Sequence, residues 1–251
     1  MCRLIGFVSP SPQSLRDVLG DERYDSFEQF SCAEHGDGWG MAWCDGSVIR
    51  SEKEPVPAAT SVRYKELVNE SFDAAFVHYR WATLSLAVRP GNTHPFTSGE
   101  IAFSHNGSIS DVTHLDEFIA PEQLQHLEGN TDSERYFRLL LSSMSNGDVE
   151  EGLRKAVATI VEHQTYSSLN ALVLTPDALF AVCYFSNSPL PPELPDDYYE
   201  MGVFSANGAT VVASSGWQHG EWSPLGNGNM LRIDRATGAA TVTAVLEIDR
   251  P

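Results

Sequence analysis

Cys2 stands directly behind Met1, at the head of the apolar run in "MCRLIGFVS". Once the methionine is removed, the thiol and the free α-amino group share one carbon. That is a nucleophile beside a base whose unperturbed pKa is about 8. Amide hydrolysis needs a nucleophile, a base, an oxyanion hole and groups that hold the substrate. "FSHNGS" (103–108) sets Asn106 before Gly107, a side-chain amide and a backbone N–H that can converge on one oxygen. "HYRWAT" (78–83) carries Arg80, whose guanidinium can grip a carboxylate through two hydrogen bonds. "NTDSE" (130–134) carries Asp132, an anchor for an ammonium group. A carboxylate grip and an ammonium grip together recognise a free α-amino acid head.

Each island also has an ordinary reading. Cys2 alone reads as a small buried hydrophobe. "GDGWG" (36–40) is a glycine-rich turn without the Lys and Ser/Thr of a phosphate loop. "HNG" reads as an Asn-Gly turn and "TDSE" as a helix cap. His35, His78, His94 and His105 lack the tight spacing of metal ligands, which argues against a metal site, and amide hydrolysis by the groups above needs no organic cofactor. No GxSxG elbow is present, which argues against a serine hydrolase.

These residues need strands and helices to hold them. Strand patterns run over 4–9, ended by "SPSPQS", and over "AAFVHYRWAT" and "IAFSHNGSI". "DGSVIR" reads as a hairpin turn with its return strand. Helices are expected over 15–30, over 58–71, over "NTDSERYFRLLLSSMSNG" and over "DVEEGLRKAVATIVEH". In the third, Thr131 caps the start and Glu134 completes a capping box. "LNALVLTP", "ALFAVCYF", "MGVFSA", "ATVVASS", "NMLRID" and "ATVTAVLEI" read as closely spaced strands, with a proline-rich surface loop over 186–197. The pattern fits one domain, 2–251, of two stacked sheets covered by a few helices.

The chain has 251 residues and a formal net charge of −18, from 34 acids against 16 bases. Such a surface repels nucleic acid and anionic membrane. No segment approaches the roughly 20 apolar residues of a membrane helix, and no signal peptide is evident, so a cytoplasmic protein is expected. Cys2, Cys32, Cys44 and Cys183 form neither a zinc ribbon nor a disulfide framework.

As an ordered set, MC at the start, "GDGWG", "HYRWAT", "NTHPF" (92–96) with "HNG", and "TDSE" resemble the class II glutamine amidotransferases of the N-terminal-nucleophile hydrolase fold. The resemblance covers roughly residues 1–135. It implies an α+β fold, a four-layer αββα sandwich of two mainly antiparallel sheets. It implies that Cys2 attacks a γ-glutamyl carbonyl and that Asn106 and Gly107 form the oxyanion hole. Arg80, with Thr83 nearby, would clamp the glutamyl α-carboxylate and Asp132 would anchor its amino group. Trp81 and His94 match positions that shape the pocket.

The opening "MCRLIGF" and the late "ASSGW…EWSPLGNGNMLRID" look most like the standalone branch, which includes the γ-glutamyl hydrolase of ergothioneine biosynthesis. Members of that branch often carry Ser-Glu-Pro where this chain has Ser214-Ser215-Gly216, which leaves the subfamily and the leaving group open. The chain has no room for a synthase domain, so the first expectation is hydrolysis of glutamine or a small γ-glutamyl conjugate. A glutaminase subunit passing ammonia to a protein partner is the alternative, and a non-catalytic scaffold relative is a third. The reading requires loss of Met1. Intact mass of the purified protein should be one methionine short of the full chain, and a retained Met1 would remove the built-in base.

Overall fold

The computed structural model describes residues 2–82, 86–217 and 220–246, and over 30–34 the backbone only. Among the described residues the strands are β1 (Arg3–Gln13), β2 (Trp39–Asp45), β3 (Val48–Glu54), β4 (Phe72–Tyr79), β5 (Phe96–Ser98), β6 (Ile101–Ile109), β7 (Tyr166–Leu174), β8 (Ala178–Cys183), β9 (Met201–Ala206), β10 (Ala209–Ser214), β11 (Ser223–Pro224), β12 (Asn229–Asp234) and β13 (Ala240–Ala244). The helices are α1 (Leu15–Leu19), α2 (Asp21–Glu34), α3 (Val62–Leu67), α4 (Pro121–Leu124), α5 (Asp132–Ser143) and α6 (Val149–His163). One sheet runs β11-β9-β10-β1-β4-β2-β3 and the other β13-β12-β8-β7-β6-β5. The pairings are antiparallel.

Alternation along the strands sorts the apolar residues into three layers. Leu4, Val8, Phe76, Ala102, Leu172 and Leu179 meet between the two sheets. Ile5, Phe7, Met41 and Val77 turn to the opposite side of the first sheet, where Leu15, Phe27 and Tyr64 of the first three helices cover them. Phe103, Ala171 and Val173 turn outward from the second sheet onto Phe137, Leu140, Val157 and Ile160 of α5 and α6. The result is the four-layer αββα sandwich expected from the resemblance. No described helix is long and apolar enough to cross a membrane.

The structure moves several expected boundaries. β1 runs on through "SPSPQ" because its pairing with β10 stops at Val8 and its register with β4 shifts between Val8 and Gln13. Pro10 and Pro12 therefore remove no regular ladder bond. The helix expected over 15–30 is two helices, divided at Gly20 with φ 75°, a backbone conformation that suits glycine. Only 62–67 of the 58–71 segment is α-helical, because the Ser61 hydroxyl accepts from the Tyr64 amide and caps a start there. "HNG" is no turn: Asn106 and Gly107 lie inside β6. Thr131 does cap α5, accepting from the Glu134 amide at 3.1 Å. The buried Glu134 carboxylate does not return to Thr131. It accepts from the Glu128 and Gly129 amides, at 2.7 Å each, and so ties down the preceding loop.

One close approach sets the spacing of β2 against the 94–95 segment. A Cβ on Gly40 would collide with the His94 carbonyl oxygen and crowd the Pro95 ring at 2.7 Å. Gly40→Ala should destabilise the fold by at least about 2 kcal/mol, read from urea unfolding. A change below about 0.5 kcal/mol would show that the segment yields freely.

Candidate active site

Cys2 immediately precedes β1, whose Arg3 pairs with Tyr79 of β4. Leu4, on the same side of the strand as Cys2, packs in the layer between the sheets. By the same alternation His78 and Arg80 continue the inner side of β4. The Cys2 thiol accepts from the Trp81 amide at 3.4 Å and lies 3.5 Å from the Trp81 carbonyl oxygen. Burial raises its pKa above the ordinary thiol value, opposed by the Trp81 amide and by the positive charges of Arg80 and Arg3. The resting group is a thiol in need of a base.

Arg80 is buried, and burial lowers its pKa against the pull of Cys2 and Asp37. Its guanidinium makes two long bonds, Nη1 to the Asp37 carbonyl at 3.5 Å and Nη2 to the Ala87 carbonyl at 3.4 Å. Neither uses the strong fork-to-carboxylate geometry. The backbone behind it is fixed by Arg80 N–H to Gly38 O at 2.8 Å and Asp37 N–H to Arg80 O at 3.2 Å. The Asp37 carboxylate then accepts from the Ala82 amide at 2.7 Å. "GDGWG" is thus a clamp on the "RWA" segment. Trp81 is 46 % exposed and meets His35 edge-on at 5.7 Å.

The second sheet supplies the other half. Ala102 of β6 and Leu172 of β7 face the inter-sheet layer, so Asn106 and Asn170, paired in register, share that side. Asn106 is buried, and its Oδ1 has no hydrogen-bond partner. Gly107 admits no side chain, since a Cβ would strike the Ser168 carbonyl oxygen. The register shifts between Gly107 and Ile109, and Asp132 fills that irregularity by accepting from the Ile109 amide at 2.7 Å. Its other oxygen accepts from the Ser133 amide at 2.8 Å. Asp132 therefore joins α5 to the end of β6. His105, on the helix side of β6, is held between the Ser133 hydroxyl and the Ser168 carbonyl oxygen, both at 2.9 Å.

His78 and His94 stack between these halves, with ring centroids 4.1 Å apart. Both are buried, and none of their four ring nitrogens has a partner of ordinary hydrogen-bond geometry. A backbone group of His105 gives the charged form of His78 only weak support. Burial, reinforced by Arg80, His35 and His105, pushes His78 down to about 3. Burial and the neighbouring positive groups hold His94 well below the usual histidine range. Both are neutral at pH 7.

The structure thus brings Cys2, Arg80 and Trp81 together at the ends of the neighbouring strands β1 and β4, and Asn106, Gly107 and Asp132 together on the facing sheet. His94 sits against His78. Thr83 lies outside the described residues. The sequence reading missed Asp37 as the clamp and Ser133 and Ser168 as the supports of β6. The glycines flanking Asp37 drew attention to its loop but not to its carboxylate. Among the described residues no group of three or more His, Cys, Asp or Glu side chains is placed to hold a metal ion.

Residues 1–189 match the family described as glutamine amidotransferases class-II. The chain is 28% identical over 193 residues to a "Probable glutamine amidotransferase" of Saccharomyces cerevisiae, covering 65% of this chain and 54% of that protein. It spans about half the length of the curated relatives it matches. A glutamine aminotransferase class-II domain protein from Silicibacter pomeroyi superposes with a TM-score of 0.69 at 21% identity, over 97% of this chain and 99% of that one. A glutamine phosphoribosylpyrophosphate amidotransferase from B. subtilis does so with a TM-score of 0.66 at 16% identity, over 97% of this chain and 49% of that one.

The stacked imidazoles set an acid response. Their pKa values are lower folded than unfolded, so between about pH 6.5 and 3 the unfolded chain binds more protons and stability falls as pH falls. His94→Phe should shallow the decline of Tm between pH 6.5 and 4.5. An unchanged slope would mean that carboxylates alone drive acid unfolding.

Proposed function

The chain belongs to the class-II glutamine amidotransferases, and we propose that its reaction is hydrolysis of a γ-glutamyl amide through a thioester on Cys2. The observation that carries the proposal is the placement of the Cys2 thiol and the Asn106–Gly107 pair on facing sides of the inter-sheet layer. With Met1 removed, the Cys2 amine takes the thiol proton as sulfur attacks the γ-carbonyl carbon. The Asn106 Nδ2–H and Gly107 N–H donate to the developing oxyanion. The proton passes to the leaving nitrogen, the C–N bond breaks and the amine departs. Water, deprotonated by the same amine, then attacks the thioester. The C–S bond breaks, and glutamate and the thiol are released.

Arg80, held with long bonds, is the clamp on the substrate α-carboxylate. Asp132 anchors the α-ammonium, and Trp81 and His94 wall the pocket. A buried guanidinium and a carboxylate favour such paired recognition of a zwitterionic head. The relatives' greater length supports a second reading, in which the released ammonia is passed to a synthase partner.

A single adduct of diazo-oxo-norleucine on Cys2, mapped by mass, is the direct test. Its absence from a processed chain would overturn the reading. Asn106→Ala should lower kcat about 10²–10³-fold, as loss of one oxyanion donor does elsewhere. The rate should rise with pH as the Cys2 amine loses its proton, levelling above roughly pH 8. His78, at about 3, contributes no limb between pH 5 and 7. A limb near 6.5 would assign the base to an imidazole instead.

A further inference from the structure

A cavity of about 310 Å³ opens at Ser108, the residue after Gly107. Ser108, directly after Gly107, and Ser167 line one wall. The Ser167 hydroxyl accepts from the Ser108 amide at 3.0 Å, and the two hydroxyls meet at 2.9 Å. Ser186 and Leu190 of the proline-rich loop, and Tyr199 just beyond it, also line the cavity. That loop is tied to the catalytic layer at two points. Asn170, the register partner of Asn106, donates its Nδ2–H to the Tyr199 carbonyl at 2.6 Å. Ser215 donates to the Asp197 carbonyl at 2.6 Å.

No charged side chain lines this cavity. Arg3 lies nearby, but its Nη1 donates to the Cys2 carbonyl at 3.2 Å and its guanidinium sits over the Tyr198 ring at 5.3 Å. The loop itself carries Glu193, Asp196 and Asp197, all exposed. A carboxylate entering here would lose its hydration without meeting a cation among the lining residues. Hydroxyls and an aromatic ring suit an uncharged group with a hydrogen-bonding tip. The volume lies at the lower end of the roughly 300–1,000 Å³ of small-molecule sites.

We propose that this cavity receives the leaving group of the γ-glutamyl amide and selects neutral amines over amines that carry a carboxylate. The proposal rests on the γ-glutamyl hydrolysis argued above. Ammonia, the leaving group of glutamine, would leave the cavity unused.

A matched pair tests it: γ-glutamyl-tyramine and γ-glutamyl-tyrosine, which differ by one carboxylate. The tyramine conjugate should be cleaved with a kcat/KM at least tenfold higher. Leu190→Trp, which narrows the cavity without touching the catalytic groups, should raise KM for the tyramine conjugate about tenfold. It should leave diazo-oxo-norleucine labelling and glutamine cleavage within twofold, which also shows that the variant folds. Equal cleavage of the pair, preference for the tyrosine conjugate, or indifference to Leu190→Trp overturns the cavity assignment while glutamine cleavage leaves the hydrolysis reading standing. Failure of labelling and of cleavage of every γ-glutamyl compound removes the hydrolysis reading and this proposal with it.

Discussion

β1 is hydrogen-bonded along both edges, Leu4 opposite His78 on one side and Ile5 opposite Ala213 on the other. Two partners fix its register twice, and a slip of one residue would turn every side chain to the other face. Leu4 and Val8 would leave the inter-sheet layer, and Cys2 would leave the side on which Arg80 lies. The Leu4 amide adds a further tie, donating to the Ser214 hydroxyl at 3.1 Å. Cys2 therefore needs no loop to aim it. It immediately precedes a strand whose burial already dictates which way odd and even residues point.

The facing half depends on an irregularity rather than on regular pairing. Asn106 is aimed by the alternation of β6, but Gly107 and Ile109 sit where the register with β7 shifts. A side chain at 107 would meet the Ser168 carbonyl, so the strand can bend there only because the residue is glycine. Polar groups that would otherwise be stranded are taken up nearby. His105 finds Ser133 and Ser168, and Glu134 takes two loop amides. Asn106 Oδ1 and the ring nitrogens of the His78–His94 pair are among the buried polar atoms left without a hydrogen-bond partner.

Much of this was legible in the chain. The strand pattern over 101–109 matches β6, although its Asn-Gly pair makes no turn, and the helices α5 and α6 announce themselves by capping residues and apolar stripes. The layered fold itself came from the ordered motifs, since strand patterns alone leave the stacking of two sheets undetermined. Boundaries failed where a single polar side chain decided them, as Ser61 does for α3. The Glu134 carboxylate was misplaced because a capping box and a loop tie share one sequence pattern, and only the path of residues 128–129 separates them. Asp37 was overlooked because its partner, the Ala82 amide, is 45 residues away and has no mark in the sequence.

Asp132 closes the irregular end of β6 and starts α5, whatever else its carboxylate does. A lineage that abandoned the reaction would still be under pressure to keep it, because its loss would unseat a helix from a sheet. Cys2 carries no comparable architectural duty: among the described residues its thiol hydrogen-bonds to the backbone of Trp81 alone. Among descendants of such a chain, persistence of the aspartate reports a fold retained, whereas persistence of the cysteine reports a chemistry retained.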